Sequence, residues 1–420
     1  MKVFKFGGAS INSVERIQNV GKILQSFSGE KILIIISAMG KTTNALEKVV
    51  DAFFEGRNDD ALKLFEQVKE QHLNTLKYLT PLSWQQAENH LKDFFTEIEW
   101  LLHDKAVREY DYYYDQIVCS GELLSTAMMS DYLNEINIKN KWIDVRDIVR
   151  TDDNFRDAII DWTYTQQKVT GVIEPIFNTA DIVITQGFIG ATDENESTTL
   201  GREGSDYSAA IFANLLNAES QTIWKDVEGV MNADPKQFAD ATFIDALSYT
   251  EVIEMAYYGA QVIHPKTIKP LQNKNIPLHV RCFLQPDLAG TIISNKTDHK
   301  LPPIIVVKDK QVLMELSSKD FSFVGENGIS DLYELFATIK IKPNLTQTGA
   351  ISILCCLDDR PDKIEKLALA ASELFDVQVK KDLTLLTIRH YTREKFDELT
   401  KDKTILLTQR TTETVQVLMY

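Results

Sequence analysis

Residues 3–8 read Val-Phe-Lys-Phe-Gly-Gly, and residues 32–40 read Ile-Leu-Ile-Ile-Ile-Ser-Ala-Met-Gly. Each stretch is a short apolar run that ends in small or polar residues, and residues 181–185 (Asp-Ile-Val-Ile-Thr) repeat the pattern. Such runs, alternating with helix-like stretches, are typical of buried strands in a mostly parallel sheet. The sequence therefore predicts an α/β fold with a mostly parallel sheet sandwiched by helices.

The stretches around these runs predict the other elements of the sheet and its helices. Residues 59–104 carry apolar side chains near helical spacing, which indicates a helical insertion interrupted at 80–82. Further strands and helices are expected at the following residues: strands at 142–145, 222–224 and 278–280, and helices near 205–217 and 250–258.

The pattern of apolar and polar residues changes close to residue 300. A polar stretch at 294–300 precedes Leu301-Pro302-Pro303, so we expect a domain boundary near 298–303, with domains at 1–300 and 301–420. The 420 residues are enough for two or three domains. Beyond the boundary we expect two small modules built from these elements: strands at 311–316, 350–357 and 383–388, helices at 329–339, 363–375 and 393–399, and strands up to residue 420.

Composition excludes several classes of protein. With 44% hydrophobic and 25% charged residues the chain is globular rather than disordered. A net charge of −16 disfavours nucleic acid and anionic membranes as partners, so an anionic substrate needs a locally basic pocket. Four cysteines without a CxxC pair fit a reducing compartment, and no apolar run reaches membrane-spanning length. We expect a cytoplasmic protein.

The first candidate site is the turn after the first strand, KFGGAS at 5–10. Gly7 and Gly8 let backbone N–H groups approach an anion, and Lys5 reaches the same point, which is typical of a phosphate site. The turn lacks the spacing of the ordinary P-loop. A plain flexible turn with a solvated Lys5 is an equally good interpretation of this motif alone.

Two more polar turns follow strands of the same predicted sheet. In SAMGKTTN at 37–44, the hydroxyls of Ser37 and Thr43 can hold a polar ligand or cap the next helix. The segment 185–207 predicts a loop of about 18 residues, a length that is usually functional. In it Arg202 can grip a carboxylate or phosphate, and Ser205 and Asp206 begin a helix.

Three weaker features complete the inventory. WKDVEGVMNADPK at 224–236 can wrap a nucleotide, although a surface loop is the default interpretation. Glu122 can bind an ammonium group or be an ordinary first-turn acid. His264-Pro265 has no second ligand at metal-binding spacing, so we expect no zinc site.

Together these blocks resemble those of the aspartate kinases, members of the amino-acid kinase family. The resemblance covers essentially the whole chain. Its blocks, in order, are KFGGAS (5–10), SAMGKTTN (37–44), SGELLS (120–125), TQGFIG (185–190), TTLGREGSDYSAA (198–210), WKDVEGVMNADPK (224–236) and EMAYYGAQVIHPKTI (254–268). The succession of predicted strands and helices after residue 303 resembles paired ACT modules, which are ferredoxin-like α+β domains.

The resemblance implies phosphoryl transfer from ATP to the side-chain carboxylate of L-aspartate, with Mg²⁺ carried by ATP. It implies aspartate contacts from Ser37, Thr43, Glu122, Phe188, Arg202 and Ser205. It implies catalytic roles for Lys5, Gly8 and Asp206, with Asp206 orienting Lys5. It implies nucleotide contacts from Lys5, Gly7, Gly8, Lys225, Asp226, Met231, Lys236 and Gln261.

The chain departs from the family pattern at several positions. Glu203 stands where the family usually has glycine, so its side chain points outward or activity is impaired. Gln261 and Met231 replace a frequent lysine and a frequent aromatic residue at nucleotide-contacting positions.

The C-terminal region implies regulation and assembly. Resemblance to the first ACT module places an amino-acid effector, lysine or threonine, at Val324, Gly325, Gly328, Ile329, Gln347 and Thr348. The second module is expected to be shortened, and a homodimer or higher homo-oligomer through the ACT region is expected. The alternative hypotheses are a kinase of another carboxylate or carbamate acceptor, and an inactive amino-acid-sensing protein on the same fold.

Overall fold

The computed structural model describes residues 1–296, 300–320 and 322–420. These residues form two compact units. The first comprises the described residues of Met1–Val230, Phe243–Ile253 and Ile263–His299, and the second comprises those of Met231–Thr242, Glu254–Val262 and Lys300–Tyr420. Residues 298 and 299 of the expected boundary lie outside the described residues, and the domain bounds 1–300 and 301–420 stay a prediction.

An eight-stranded sheet forms the centre of the first unit. The strands of the N-terminal 300 residues are β1 (Lys2–Phe6), β2 (Ile32–Ile36), β3 (Asn140–Trp142), β4 (Ile182–Gln186), β5 (Ile189–Ala191), β6 (Ser197–Thr199), β7 (Ser220–Lys225), β8 (Val230–Met231), β9 (Phe243–Ile244), β10 (Ala246–Ser248), β11 (Leu278–Cys282) and β12 (Thr291–Ser294). The sheet order is β10-β12-β11-β7-β1-β2-β4-β3, and every neighbouring pair is parallel except β11–β12. The predicted mostly parallel sheet is confirmed.

Helices cover this sheet, and the predicted helical insertion at 59–104 is confirmed as two of them. The helices are α1 (Val14–Gln25), α2 (Thr42–Phe54), α3 (Asn58–Leu79), α4 (Trp84–Leu102), α5 (Tyr110–Val118), α6 (Ser120–Glu135), α7 (Trp162–Lys168), α8 (Glu174–Ile176), α9 (Gly204–Leu215), α10 (Tyr249–Tyr258) and α11 (Pro265–Asn273). Pro81 separates α3 from α4 because it removes a backbone donor and restricts the residue before it. Among the described residues, no helix has both the length and the apolar character needed to cross a bilayer.

Two local predictions for the first unit are wrong. The strand expected at 142–145 ends at Trp142, because Asp144 accepts a hydrogen bond from the Arg146 N–H and starts a short 3₁₀ turn. The expected loop of about 18 residues is partly a hairpin, in which β5 and β6 pair antiparallel. The buried Thr198 and Thr199 belong to the second of these strands, so this segment has its own regular structure.

The second unit contains a six-stranded antiparallel sheet. Its elements are β13 (Ile304–Ser318), α12 (Glu326–Ile339), β14 (Pro343–Thr348), β15 (Ser352–Asp358), α13 (Pro361–Ala371), β16 (Phe375–Arg389), α14 (Arg393–Thr400), β17 (Ile405–Arg410) and β18 (Thr414–Met419). The sheet order is β14-β15-β13-β16-β18-β17, so the two long strands β13 and β16 pair at its centre. This α+β arrangement agrees with ACT modules.

Several element bounds in this unit differ from prediction, and the strand expected at 383–388 is the longer β16 (Phe375–Arg389). Strand β13 begins at Ile304, seven residues before the expected 311, because the β-branched run 304–307 continues into the predicted strand across a register shift. The helix expected at 363–375 ends at Ala371, and Phe375 begins β16. The strand expected at 350–357 is Ser352–Asp358.

The segment 231–242 packs within the second unit although it precedes residue 300. Ala233 is buried in an apolar cluster with Leu386 and Val417, and Phe238 packs against that cluster. Asp240 forms an ion pair with Lys395 of α14 at 3.2 Å. The α14 side of the second unit therefore holds this segment in place.

Candidate active site

The turns after β1, β2 and β4 meet at one edge of the sheet. These strands are parallel neighbours, with Phe6 opposite Ile36 and Ile36 opposite Gln186, so their carboxyl ends are level. Together with the N-terminus of α9 the turns enclose a cavity of about 390 Å³. Eight of the predicted site residues line it: Lys5, Ser37, Thr43, Glu122, Phe188, Arg202, Ser205 and Asp206. Glu203 lines it as well.

Two glycines let the turns pack this closely. A Cβ on Gly8 would lie 2.6 Å from the Ala38 carbonyl oxygen, so any side chain there would push the first two turns apart. A Cβ on Gly204 would lie 2.7 Å from Cδ2 of Phe188. Gly7 has an extended backbone with φ −79°, and neither Gly7 nor Gly8 is among the residues that line the cavity. Close packing therefore explains Gly8 and Gly204.

Lys5 and Asp206 form a buried ion pair across the cavity floor. Lys5 Nζ lies 2.7 Å from Asp206 Oδ1, and the side chains are only 11% and 6% exposed. Asp206 lies in the first turn of α9, where a carboxylate also interacts favourably with the helix dipole. The contact is an ion pair without good hydrogen-bond alignment. Asp206 thus holds the ammonium group of Lys5 in the cavity.

Glu122 brings a buried carboxyl group to the same place. It lies in the first turn of α6, and its Oε1 accepts a hydrogen bond from the Ala38 N–H at 3.1 Å. Within the described part of the chain, Oε2 is buried without a hydrogen-bond partner. Burial raises the pKa of Glu122 to about 8, against the opposing charge of Lys5. Oε2 is therefore available to accept a hydrogen bond from a cationic ligand group, and the positive charge of such a group would favour the ionised form of Glu122.

Arg202 supplies a positive charge that the fold leaves available. It is exposed, lines the cavity, and has no salt bridge with any described residue. Thr43 is not used as a helix cap, because α2 begins without a side-chain capping bond and the neighbouring Thr42 hydroxyl donates to the Met39 carbonyl. Arg202 and Thr43 can therefore contact a ligand.

Several residues that line this cavity have a backbone conformation that side-chain-bearing residues rarely adopt. Phe188 and Glu203 have φ values of 71° and 55°, in the left-handed region that favours glycine. The Glu203 carboxylate accepts a hydrogen bond from the His264 N–H at 3.0 Å, which directs one of its oxygens onto the backbone. Glycine adopts left-handed backbone more readily than any other residue, so it would carry less strain than Glu203 at this position.

The cavity also contains residues that the motifs did not indicate. Tyr114 and Arg156 line it, and Thr199 lines it from within a quoted block. Tyr114 belongs to the aromatic-rich helix α5, and Arg156 lies in a turn rich in acidic residues. Neither stretch has a pattern that indicates a ligand, so the sequence alone offered no signal for these two residues.

The predicted nucleotide-contacting residues are divided between the two units. Lys225 ends β7 in the first unit, and Asp226 follows it in an exposed position. Met231, Lys236 and Gln261 belong to the second unit, where Lys236 and Gln261 are exposed. Their nucleotide contacts stay a prediction.

A second cavity, of about 710 Å³, lies in the second unit. It contains three of the predicted effector residues, Val324, Gly325 and Gly328. Ile329 packs against the apolar core next to it. Gln347 and Thr348 lie on the edge strand β14 and are not among the residues that line this cavity.

Comparison with known proteins identifies the family. The sequence profile of the amino acid kinase family matches residues 1–282. The chain is 32% identical over 404 residues to Aspartokinase 3, chloroplastic, of Arabidopsis thaliana, covering 92% of this chain and 70% of that protein. It is 29% identical over 397 residues to Lysine-sensitive aspartokinase 3 of Escherichia coli (strain K12), covering 92% and 86%.

Comparison with solved structures identifies the same family. The crystal structure of E. coli aspartokinase III in complex with aspartate and ADP matches with a TM-score of 0.83 and 27% identity, covering 100% of this chain and 96% of that one. The chain therefore belongs to the amino acid kinase family and, within it, to the aspartokinases.

Proposed function

We propose that this kinase transfers the γ-phosphoryl group of ATP to the side-chain carboxylate of L-aspartate, giving 4-phospho-L-aspartate and ADP. This is the first step of lysine, threonine and methionine biosynthesis. The observation that carries the proposal is the charge pattern of one cavity, where the free Arg202 and the unpartnered Glu122 Oε2 match the carboxylate and ammonium groups of an amino acid. The E. coli relative bound to aspartate and ADP supports it.

In this proposal each polar group of the substrate has a partner. Arg202 binds the α-carboxylate, because a guanidinium presents two parallel donors to a carboxylate. Glu122 accepts from the ammonium group, and Ser37, Thr43 and Ser205 supply hydroxyls. The side-chain carboxylate then faces Lys5. Phe188 packs against Gly204 and excludes water from one side.

The chemistry needs no general base. A carboxylate with an ordinary pKa of about 4 is ionised at neutral pH, so its oxygen attacks phosphorus directly. The new bond joins this oxygen to the γ-phosphorus, and the bond to the bridging oxygen of ADP breaks, so ADP leaves with that electron pair. Lys5, oriented by Asp206, offsets charge on the transferring group, and catalysis is positioning plus electrostatic stabilisation.

We infer that the nucleotide arrives with Mg²⁺. Magnesium is usually held by one or two carboxylates together with substrate phosphates. The groups of this chain proposed to meet the nucleotide are the backbone at Gly7 and Gly8 and the side chains of Lys225, Asp226, Met231, Lys236 and Gln261. Asp226 is an exposed carboxylate in this set and would hold the ion, which would offset negative charge on the ATP phosphates.

We further propose that an amino acid, lysine or threonine, regulates the enzyme through the second unit. The name of the lysine-sensitive E. coli relative and the cavity at Val324, Gly325 and Gly328 support lysine first. Strand β14 is a sheet edge with exposed Gln347 and Thr348, which supports pairing of two copies there. Thermal-shift titration with each amino acid and sedimentation with and without it test both points.

An ADP-release assay coupled to pyruvate kinase and lactate dehydrogenase tests the main proposal. Purified protein with ATP, Mg²⁺ and L-aspartate should form ADP, and hydroxylamine should trap the acyl phosphate. Arg202→Gln should raise KM for L-aspartate while leaving the fold intact. ADP formation only with another carboxylate or carbamate would replace aspartate as substrate, and no turnover by folded protein with any acceptor would favour an amino-acid sensor.

A further inference from the structure

Arg156 lines the candidate cavity, although its sequence context did not indicate a ligand-binding residue. It lines the cavity together with Arg202, Tyr114 and Thr199. No motif assigned it a role, and it sits in a turn between acidic residues. The structure thus adds a second guanidinium to a cavity that already has one.

The backbone of Arg156 is held in an unfavourable conformation. Its φ is 69°, in the left-handed region that side-chain-bearing residues rarely adopt. Its N–H donates to Asp115 Oδ2 at 2.9 Å. Asp115 is fully buried and also accepts from the Thr199 N–H and hydroxyl, each at 2.7 Å. One buried carboxylate therefore positions two segments of the cavity wall.

The side chain of Arg156 is oriented but not saturated. Its guanidinium lies 4.3 Å from the Tyr114 ring centroid, a stacking arrangement that fixes its plane. One nitrogen, Nη1, donates to Asp111 Oδ1 at 3.0 Å. The side chain remains 46% exposed, and a guanidinium carries five N–H donors, so several stay available to a ligand.

The charges of the cavity indicate which ligand group Arg156 meets. Among the described residues that line the cavity, Lys5 is held by Asp206 and faces the side-chain carboxylate. The remaining cations are Arg202 and Arg156, and Arg156 keeps N–H donors besides the one bonded to Asp111. A carboxylate has about four lone-pair sites and accepts from two guanidinium groups at once. We propose that Arg156 is a second carboxylate-binding residue, which together with Arg202 recognises the α-carboxylate of the substrate. This inference rests on the proposed function.

Substitution by glycine separates binding from folding. Because φ is positive, Arg156→Gly should leave the melting temperature unchanged or raise it. We expect KM for L-aspartate to rise about tenfold, the size of one charge-assisted hydrogen bond in a partly exposed site, with KM for ATP unchanged. Arg156→Lys should recover only part of the loss. The matched control is Arg108→Gln, because Arg108 also stacks on a tyrosine and pairs with a glutamate but does not line the cavity.

A substrate analogue shows which group Arg156 meets. With L-aspartic acid α-amide, which lacks the α-carboxylate, wild type and Arg156→Gly should differ less than twofold in KM. An unchanged KM for L-aspartate in Arg156→Gly would overturn the proposal, and so would a rise in KM for ATP or an equal loss with the amide. If wild type forms no ADP with L-aspartate, the proposed function fails. Calorimetric titration of both proteins with L-aspartate then still decides the role of Arg156.

Discussion

Replacing Lys5 with methionine should both destabilise the protein and nearly abolish turnover. The substitution leaves the Asp206 carboxylate buried without its counter-ion at 2.7 Å. Breaking a buried pair costs about 3–5 kcal/mol, and because this pair borders a cavity we expect about 3 kcal/mol. In a unit of this size a loss of about 3 kcal/mol lowers the melting temperature by about 5 °C.

Activity should fall by a separate mechanism. Removing one preorganised group that offsets transition-state charge costs about 10²–10³ in kcat, and we expect Lys5→Met to lose at least this much. The assay is coupled ADP release, run beside urea unfolding followed by tryptophan fluorescence. Lys5→Met/Asp206→Asn should be more stable than the sum of the single changes predicts, by about 2 kcal/mol.

Lys2 provides a matched control on the same strand. It pairs with Glu30, but the side chains are 27% and 41% exposed, so Lys2→Met should cost less than about 1 kcal/mol and leave turnover unchanged. Equal stability losses for Lys2→Met and Lys5→Met, with additive effects of Lys5 and Asp206, would refute the reasoning about the buried pair.

Three further predictions concern acids around the cavity. Burial raises the pKa of Glu122 from 4.5 to about 8, so the free protein should lose stability as pH rises between these values, because the unfolded state releases a proton that the folded state keeps. Glu122→Gln should flatten this slope in urea unfolding, and an unchanged slope would contradict the assignment. The free energy of unfolding of Glu203→Gly should stay within about 1 kcal/mol of wild type, because relief of the left-handed backbone strain offsets the lost hydrogen bond from the His264 N–H. Its kcat should be unchanged or higher. A large fall in kcat would show that the Glu203 carboxylate contributes to catalysis. Asp115→Asn should lower the free energy of unfolding by about 2–3 kcal/mol and raise KM for L-aspartate, because an amide cannot accept all three hydrogen bonds from the Thr199 N–H, the Thr199 hydroxyl and the Arg156 N–H. Wild-type stability and wild-type KM in this variant would remove the positioning role of Asp115.

The sequence predicted well whatever depends on local pattern. Apolar runs at 3–6 and 32–36 became central strands, and the turns after them converged because parallel neighbours end at the same edge. The same logic brought the segment around Arg202 to that edge. Predictions failed where a local signal was ambiguous, as at 363–375, where the helix stops at Ala371 and the next strand starts at Phe375.

By itself the sequence determined the apolar runs that form strands of a mostly parallel sheet, the polar turns that follow them and the residue types available to a ligand, because hydrophobic periodicity and chain direction are local properties. Only the tertiary structure decided that Arg156 faces the cavity, that Glu122 is desolvated, and that Glu203 occupies left-handed backbone. These properties arise from contacts between segments far apart in the chain. The buried Asp115 that joins the turns at 156 and 199 is such a contact, and no local pattern encodes it.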